Sequence, residues 1–270
     1  MKKLIAAVSA IALTFSTAFT AFAADSADVY VTISDGTGAL PLAQEKITVT
    51  DVDADGALTI NDALFAAHEA KYDGGAAAGY DSGETEYGIS LNKLWGVENG
   101  GSYGYYVNNA SAMSLSDTIA EGDYINAYAY SDLTAWSDTY CWFDIDSAEL
   151  TAGGEIALAL SYAGYDADWN PVTSFVNGAV ITINGEKTDL TTDSQGKVEI
   201  KLDEAGEYII SAVSDTQTLV PPVCKVTVTA AEASSDSATT APKTGNSTSG
   251  LVAVTAIALA AACLTKKNEK

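Results

Sequence analysis

Oxygen-bearing positions recur at even spacing in Asp51-Val52-Asp53-Ala54-Asp55-Gly56-Ala57-Leu58-Thr59-Ile60-Asn61-Asp62. A hard cation such as Ca2+ takes about six to eight oxygens, and a loop that wraps it supplies them from positions 1, 3, 5, 7, 9 and 12. Counted from Asp51, those are Asp51, Asp53, Asp55, the Ala57 carbonyl, Thr59 (in part through water) and Asp62. Gly56 falls at position 6, where the sharp turn asks for a residue free of a side chain. Calcium held here would brace the start of a helix and would not catalyse. An acidic turn without metal, with Thr59 or Asn61 capping that helix, accounts for the same residues.

The second candidate is aromatic. Tyr105 lies in Tyr103-Gly104-Tyr105-Tyr106-Val107-Asn108-Asn109, and Tyr124, Tyr128 and Tyr130 lie in Tyr124-Ile125-Asn126-Ala127-Tyr128-Ala129-Tyr130. Strand alternation puts Tyr124, Asn126, Tyr128 and Tyr130 on one face, with Ile125, Ala127 and Ala129 on the other. Broad apolar rings with polar tips suit a flat ligand, a sugar or a protein partner. Core and cross-strand packing use the same residues, and Trp95, Trp136 and Trp142 are open to core or domain-junction roles.

Catalytic chemistry lacks its parts, and the chain reads as a non-enzyme. Its one histidine, His68, is expected on an exposed helix surface with no nucleophile motif beside it. No Gly-rich phosphate loop occurs. The 13 basic residues are all lysine and meet 36 acidic ones, for a formal charge of −23. Such a field repels phosphate, so nucleic acid and anionic membrane surfaces are excluded as partners. It favours hard cations, and it also keeps a crowded surface protein soluble. Cys141 and Cys224 are an even pair outside the C-terminal tail, so a disulfide between them is open in an exported chain.

Several elements must position these residues. Asp28–Ser34 and Lys46–Thr50 alternate as strands around an Asp35-Gly36-Thr37-Gly38 turn, and helical spacing runs from Ile60 to Tyr72. A Gly- and Ala-rich connection leads to aromatic strands, including Leu94-Trp95-Gly96. Strand pair, helix and further strands indicate a small α+β domain of β-grasp type over residues 24–142. Five short strands between 155 and 228 are separated by turns such as Asn184-Gly185 and indicate an all-β sandwich over residues 143–230. Residues 231–241 read as a flexible stalk.

Both ends carry addresses. Lys2 and Lys3, an apolar run and Ala21-Phe22-Ala23 make residues 1–23 an export signal. Ala241-Pro242-Lys243-Thr244-Gly245, an apolar stretch from Leu251 to Leu264 and Lys266, Lys267 and Lys270 resemble the sorting signal of Gram-positive surface proteins. Pro242, Thr244 and Gly245 match that family's motif, while Ala241 replaces its leucine. The resemblance implies a sortase partner, cleavage after Thr244, attachment to peptidoglycan and only transient membrane contact through residues 242–270.

Three further resemblances bear on function. The acidic loop is similar to dockerin loops, which place Asp at position 12 and enter from a strand. Residues Asp28 to Asp132, through Tyr105-Tyr106-Val107-Asn108 and Gly122-Asp123, resemble the C-terminal β domain of transcobalamin and intrinsic factor. That likeness implies a corrinoid as a candidate ligand of the tyrosine face. Asp193 to Val213 resembles the final hairpin of bacterial Ig-like surface domains. Together these predict a wall-anchored, non-catalytic binding protein, or alternatively a calcium-stiffened structural or adhesive one.

Overall fold

The computed structural model describes residues 26–231 apart from 167 and 169. The export signal, the stalk beyond Ala231 and the sorting motif at Pro242, Thr244 and Gly245 lie outside the described residues.

The first lobe runs β1 (Ala27–Ser34), β2 (Leu42–Val49), α1 (Ile60–Lys71), α2 (Gly75–Gly79), β3 (Asp81–Thr85), β4 (Gly88–Lys93), β5 (Tyr103–Val107), β6 (Ala110–Ser111) and β7 (Tyr124–Ala129). Its main sheet has the order β2-β1-β7-β5-β6, and β3 pairs with β4 as a separate hairpin. The chain's first and last strands in this lobe, β1 and β7, lie side by side and parallel, from Tyr30 opposite Tyr124 to Ser34 opposite Tyr128. Helix α1 offers Ile60, Ala63, Leu64 and Ala67, an i, i+3, i+4, i+7 stripe, to Val29, Val31, Ile33 and Ile125 of the sheet.

The second lobe is all β: β8 (Thr139–Phe143), β9 (Ser147–Thr151), β10 (Gly154–Tyr165), β11 (Pro171–Phe175), β12 (Val180–Ile183), β13 (Glu186–Thr191), β14 (Lys197–Leu202), β15 (Gly206–Val213), β16 (Leu219–Val220) and β17 (Cys224–Thr229). One sheet has the order β11-β10-β8-β16, with β14 also on β10; the other is β13-β12-β15-β17-β9. Between them lie Phe143, Leu158, Leu160, Ile181, Ile200, Ile210 and Val226. Strict alternation builds this core, since β14 buries Val198, Ile200 and Leu202 and exposes the lysines and glutamate between them.

Local differences from the sequence reading have local causes. Strand β8 pairs with β10 and β16, so its residues join the second lobe and not the first. Leu94-Trp95-Gly96 is a turn: Trp95 takes φ 49° and Leu94 bridges back to Val97. Cys141 and Cys224 are both buried as free thiols, and no disulfide joins them. They sit in opposite sheets, and the Cys141 thiol donates to the Val220 carbonyl at 3.2 Å. Among the described residues no helix is long and apolar enough to cross a membrane.

Candidate functional site

The acidic loop joins β2 to α1. Its turn is made by Ala54 at φ 60° and Gly56 at φ 90°, which curl the backbone so that its N–H groups point at the carboxylates. Asp51 Oδ2 accepts from Gly56 N at 2.9 Å, and Asp55 Oδ1 accepts from Ala57 N at 2.8 Å. Carboxylate oxygens of Asp51, Asp53 and Asp55 come within 4.8 Å of one another. The Gly56 N–H holds the Asp51 carboxyl below its ordinary range. Asp53 is pushed the other way, by lost hydration and then by the charges of Asp62 and Asp55. Three hard oxygens at this spacing are able to hold a divalent cation, whose charge would relieve that repulsion.

Thr59 and Asp62 are engaged elsewhere. Thr59 caps α1, with Asp62 N donating to its hydroxyl at 3.3 Å, while Asp62 Oδ2 accepts from Thr59 N at 2.8 Å. Asp62 Oδ1 accepts from Val52 N at 3.0 Å, and the side chain is fully buried. This capping box satisfies helix N–H groups that otherwise lack partners. The structure therefore brings Asp51, Asp53 and Asp55 together and ties Thr59 and Asp62 into the helix start. Ala57 lies in the same turn as the three carboxylates.

The tyrosine row is not an open face. Tyr128 is 2% exposed and packs with Tyr140 and Val220 of the second lobe, joined by Tyr106, Tyr130 and Trp142. The Tyr106 and Tyr140 rings stack with centroids 3.5 Å apart and planes 5° from parallel. Tyr140 OH donates to Asn109 Oδ1 at 2.9 Å, and Tyr128 OH donates to Tyr130 OH at 3.1 Å. Burial pushes the Tyr128 and Tyr140 phenols far above their ordinary range, so both stay neutral donors. Tyr105 is half-buried against the first lobe's own core, and Tyr124 stacks on Tyr30 at 4.8 Å. The four residues expected to share a ligand therefore divide among three environments.

The same junction has a polar part that sequence reasoning missed. Gln44, at a bulge in β2 with φ 45°, donates from Nε2 to the Val223 carbonyl at 3.1 Å. Lys225 Nζ lies 3.6 Å from Glu45. Thr32, Gln44, Asn126, Tyr128 and Asp146 line a cavity of about 20 Å³ between the lobes, room for a single water. The positive φ of Gln44 belongs to the folded bulge, and no residue type in the strand announces it.

His68 is fully buried, contrary to the exposed surface expected. Its Nδ1 lies 2.6 Å from the Leu64 carbonyl, and Trp95 N donates to its Nε2 at 2.9 Å. The ring is therefore neutral with its proton on Nδ1, packed against Tyr80 and Trp95. Both nitrogens are spent on the backbone, which leaves nothing for catalysis.

No family model matches the chain, and no curated protein does. Among solved structures it is similar to the tandem Ig repeats of Dlar, at 11% identity over 76% of this chain and 96% of that one, with a TM-score of 0.26. It is also similar to the N-terminal Ig1-2 module of the Drosophila receptor protein tyrosine phosphatase DLAR, at 14% identity over 56% and 74%, with a TM-score of 0.24. Likeness this slight assigns the chain no family and no activity.

Proposed function

We propose that the chain is a non-catalytic adhesive protein of a Gram-positive cell wall, exported through residues 1–23, joined to peptidoglycan at Thr244 by a sortase, and carrying a stiff two-lobed head. The observation that carries this reading is the aromatic junction, in which Tyr128 and Tyr140 are buried between lobes. A head whose lobes share a buried interface transmits force without folding up at a hinge. The corrinoid reading loses its support, because Tyr128, its central residue, has no open face to offer.

The sheet orders support the finer fold assignments. Parallel central β1 and β7, flanked by β2 and β5 with a helix over one face, supports a β-grasp reading of the first lobe. In the second lobe, β8, β10 and β14 form one sheet and β13, β12, β15 and β17 the other, with β9 added parallel to β17, which supports an Ig-like sandwich. Calcium held by Asp51, Asp53 and Asp55 would stiffen the turn into α1.

The test is display of the full chain on a Gram-positive host and measurement of adhesion to glycan- and protein-coated surfaces. Cells carrying the native chain should adhere more than cells carrying Pro242→Ala, which should shed it into the medium. Equal adhesion on every surface, or a native chain that detergent alone extracts, overturns the proposal.

A further inference from the structure

Strands β12 and β15 pair so that Thr182 faces Ser211 directly. Ile181, Ile210 and Ala212 point into the sandwich core, so alternation turns Thr182 and Ser211 to the sheet's outer side. Hydroxyls on the outer side of a sandwich normally meet water. These are largely covered, Thr182 being 5% exposed and Ser211 6%, although their oxygens keep contact with solvent. What lies over them is Leu40 of the first lobe's β1–β2 connection and Ala43 of β2, together with Pro221.

The cover does not close. It leaves a cavity of about 530 Å³ walled by Leu40, Ala43, Ile209, Val213 and Pro221, with Thr182 and Ser211 on one side. Among the described residues neither hydroxyl has a hydrogen-bond partner, and both residues line the cavity. Both are free to pair with a ligand, which on entering replaces the little water that reaches them. No charged side chain lines the cavity, although the chain's formal charge is −23. Lys187, opposite Thr182 on β13, pairs with Asp215 at 4.0 Å and forms no part of the wall.

We propose that this cleft binds a neutral peptide segment with small aliphatic side chains, one backbone amide of which pairs with Thr182 and Ser211. An amide carries one N–H and one C=O, and a pair of hydroxyls can accept the first and donate to the second. The aliphatic walls suit short branched or methyl side chains. A sugar, with hydroxyls on every side and a preference for aromatic platforms, would leave most of its polar groups unpaired here. The volume falls in the usual range for small-ligand sites, about 300–1,000 Å³, and clefts between lobes are a common place for them. The site stands independently of wall anchoring and of the adhesive reading.

The probe is N-acetyl-Ala-Val-methylamide, titrated into the full chain while the backbone amide resonances of Ile209, Ser211 and Val213 are followed. Saturable shifts confined to the cleft are expected. The double variant Thr182→Val with Ser211→Ala should weaken binding at least tenfold and leave the melting temperature unchanged or higher, because no protein partner is lost. Should that variant fail to fold, Val213→Phe, which fills the cavity, must abolish the same shifts. Absence of saturable shifts, native affinity in either variant, or tighter binding of N-acetylglucosamine than of the dipeptide overturns the proposal.

Discussion

His68 is held by two backbone groups that both require a neutral ring, the Leu64 carbonyl on Nδ1 and the Trp95 N–H on Nε2. Protonation would turn Nε2 into a second donor facing a donor. Burial lowers the folded-state pKa below the ordinary value of 6.5, with the Leu64 contact opposing in part. The sign follows from linkage: above about pH 6.5 the ring is neutral in both states and its contribution is whole. Below that, the unfolded chain takes up the proton first, and stability falls until the folded-state pKa is reached. Urea unfolding between about pH 7.5 and about pH 5 should therefore show a loss in the native protein that His68→Gln lacks. Parallel pH profiles for the two would remove His68 as the cause. Residue type, and not helical periodicity, misassigned this residue. His68 stands at i+8 from Ile60 and i+4 from Leu64, on the buried stripe of α1, and Tyr80 and Trp95 pack over it from later in the chain.

At the level of elements, the loop between β2 and α1 was legible as acidic turn and as helix start at once. The capping reading is satisfied by Thr59 and Asp62, and the three carboxylates of Asp51, Asp53 and Asp55 are left to one another. A raised folded-state pKa at Asp53 means that its charged form is disfavoured where it sits. Asp53→Asn should accordingly stabilise the metal-free protein at neutral pH, and it should also remove most of the stabilisation that added Ca2+ gives the native chain. A ligand at about 100 times its Kd contributes about 2.7 kcal/mol by mass action, enough to read in paired thermal melts with Ca2+ and with chelator. If native and variant melts shift equally on adding Ca2+, the loop is not the metal site. The strands of both lobes were equally legible, because alternation in segments such as Lys197–Leu202 states which side faces the core. It does not state what covers the other side. Tyr128 of β7 and the hydroxyls of β12 and β15 lie on such second faces, and each is covered by residues of the other lobe.

Each lobe has a core of its own, centred on Ile33, Leu64 and Ile125 in the first and on Leu158, Ile181 and Ile200 in the second. Each therefore has the means to fold alone, and they are coupled by the Tyr106, Tyr128, Tyr130, Tyr140, Trp142 and Val220 cluster beside the Gln44–Val223 and Lys225–Glu45 contacts. Tyr140 is its pivot, stacked on Tyr106 and donating to Asn109, both in the first lobe, from a strand of the second. Tyr140→Ala should cost about 3–5 kcal/mol, the usual range for truncating a buried aromatic. It should also split the unfolding of the native protein, expected as one calorimetric transition, into two. Tyr140→Phe keeps the stack and loses only the bond to Asn109, about 0.5–1.5 kcal/mol, so a single transition should survive. The pair separates coupling from bulk stability. Loss of stability in Tyr140→Ala with one sharp transition retained would mean that the lobes are coupled elsewhere, with Gln44 and its bond to Val223 the next contact to remove. Two transitions in the alanine variant alone would make the aromatic stack the source of the head's stiffness, the property on which an adhesive role depends.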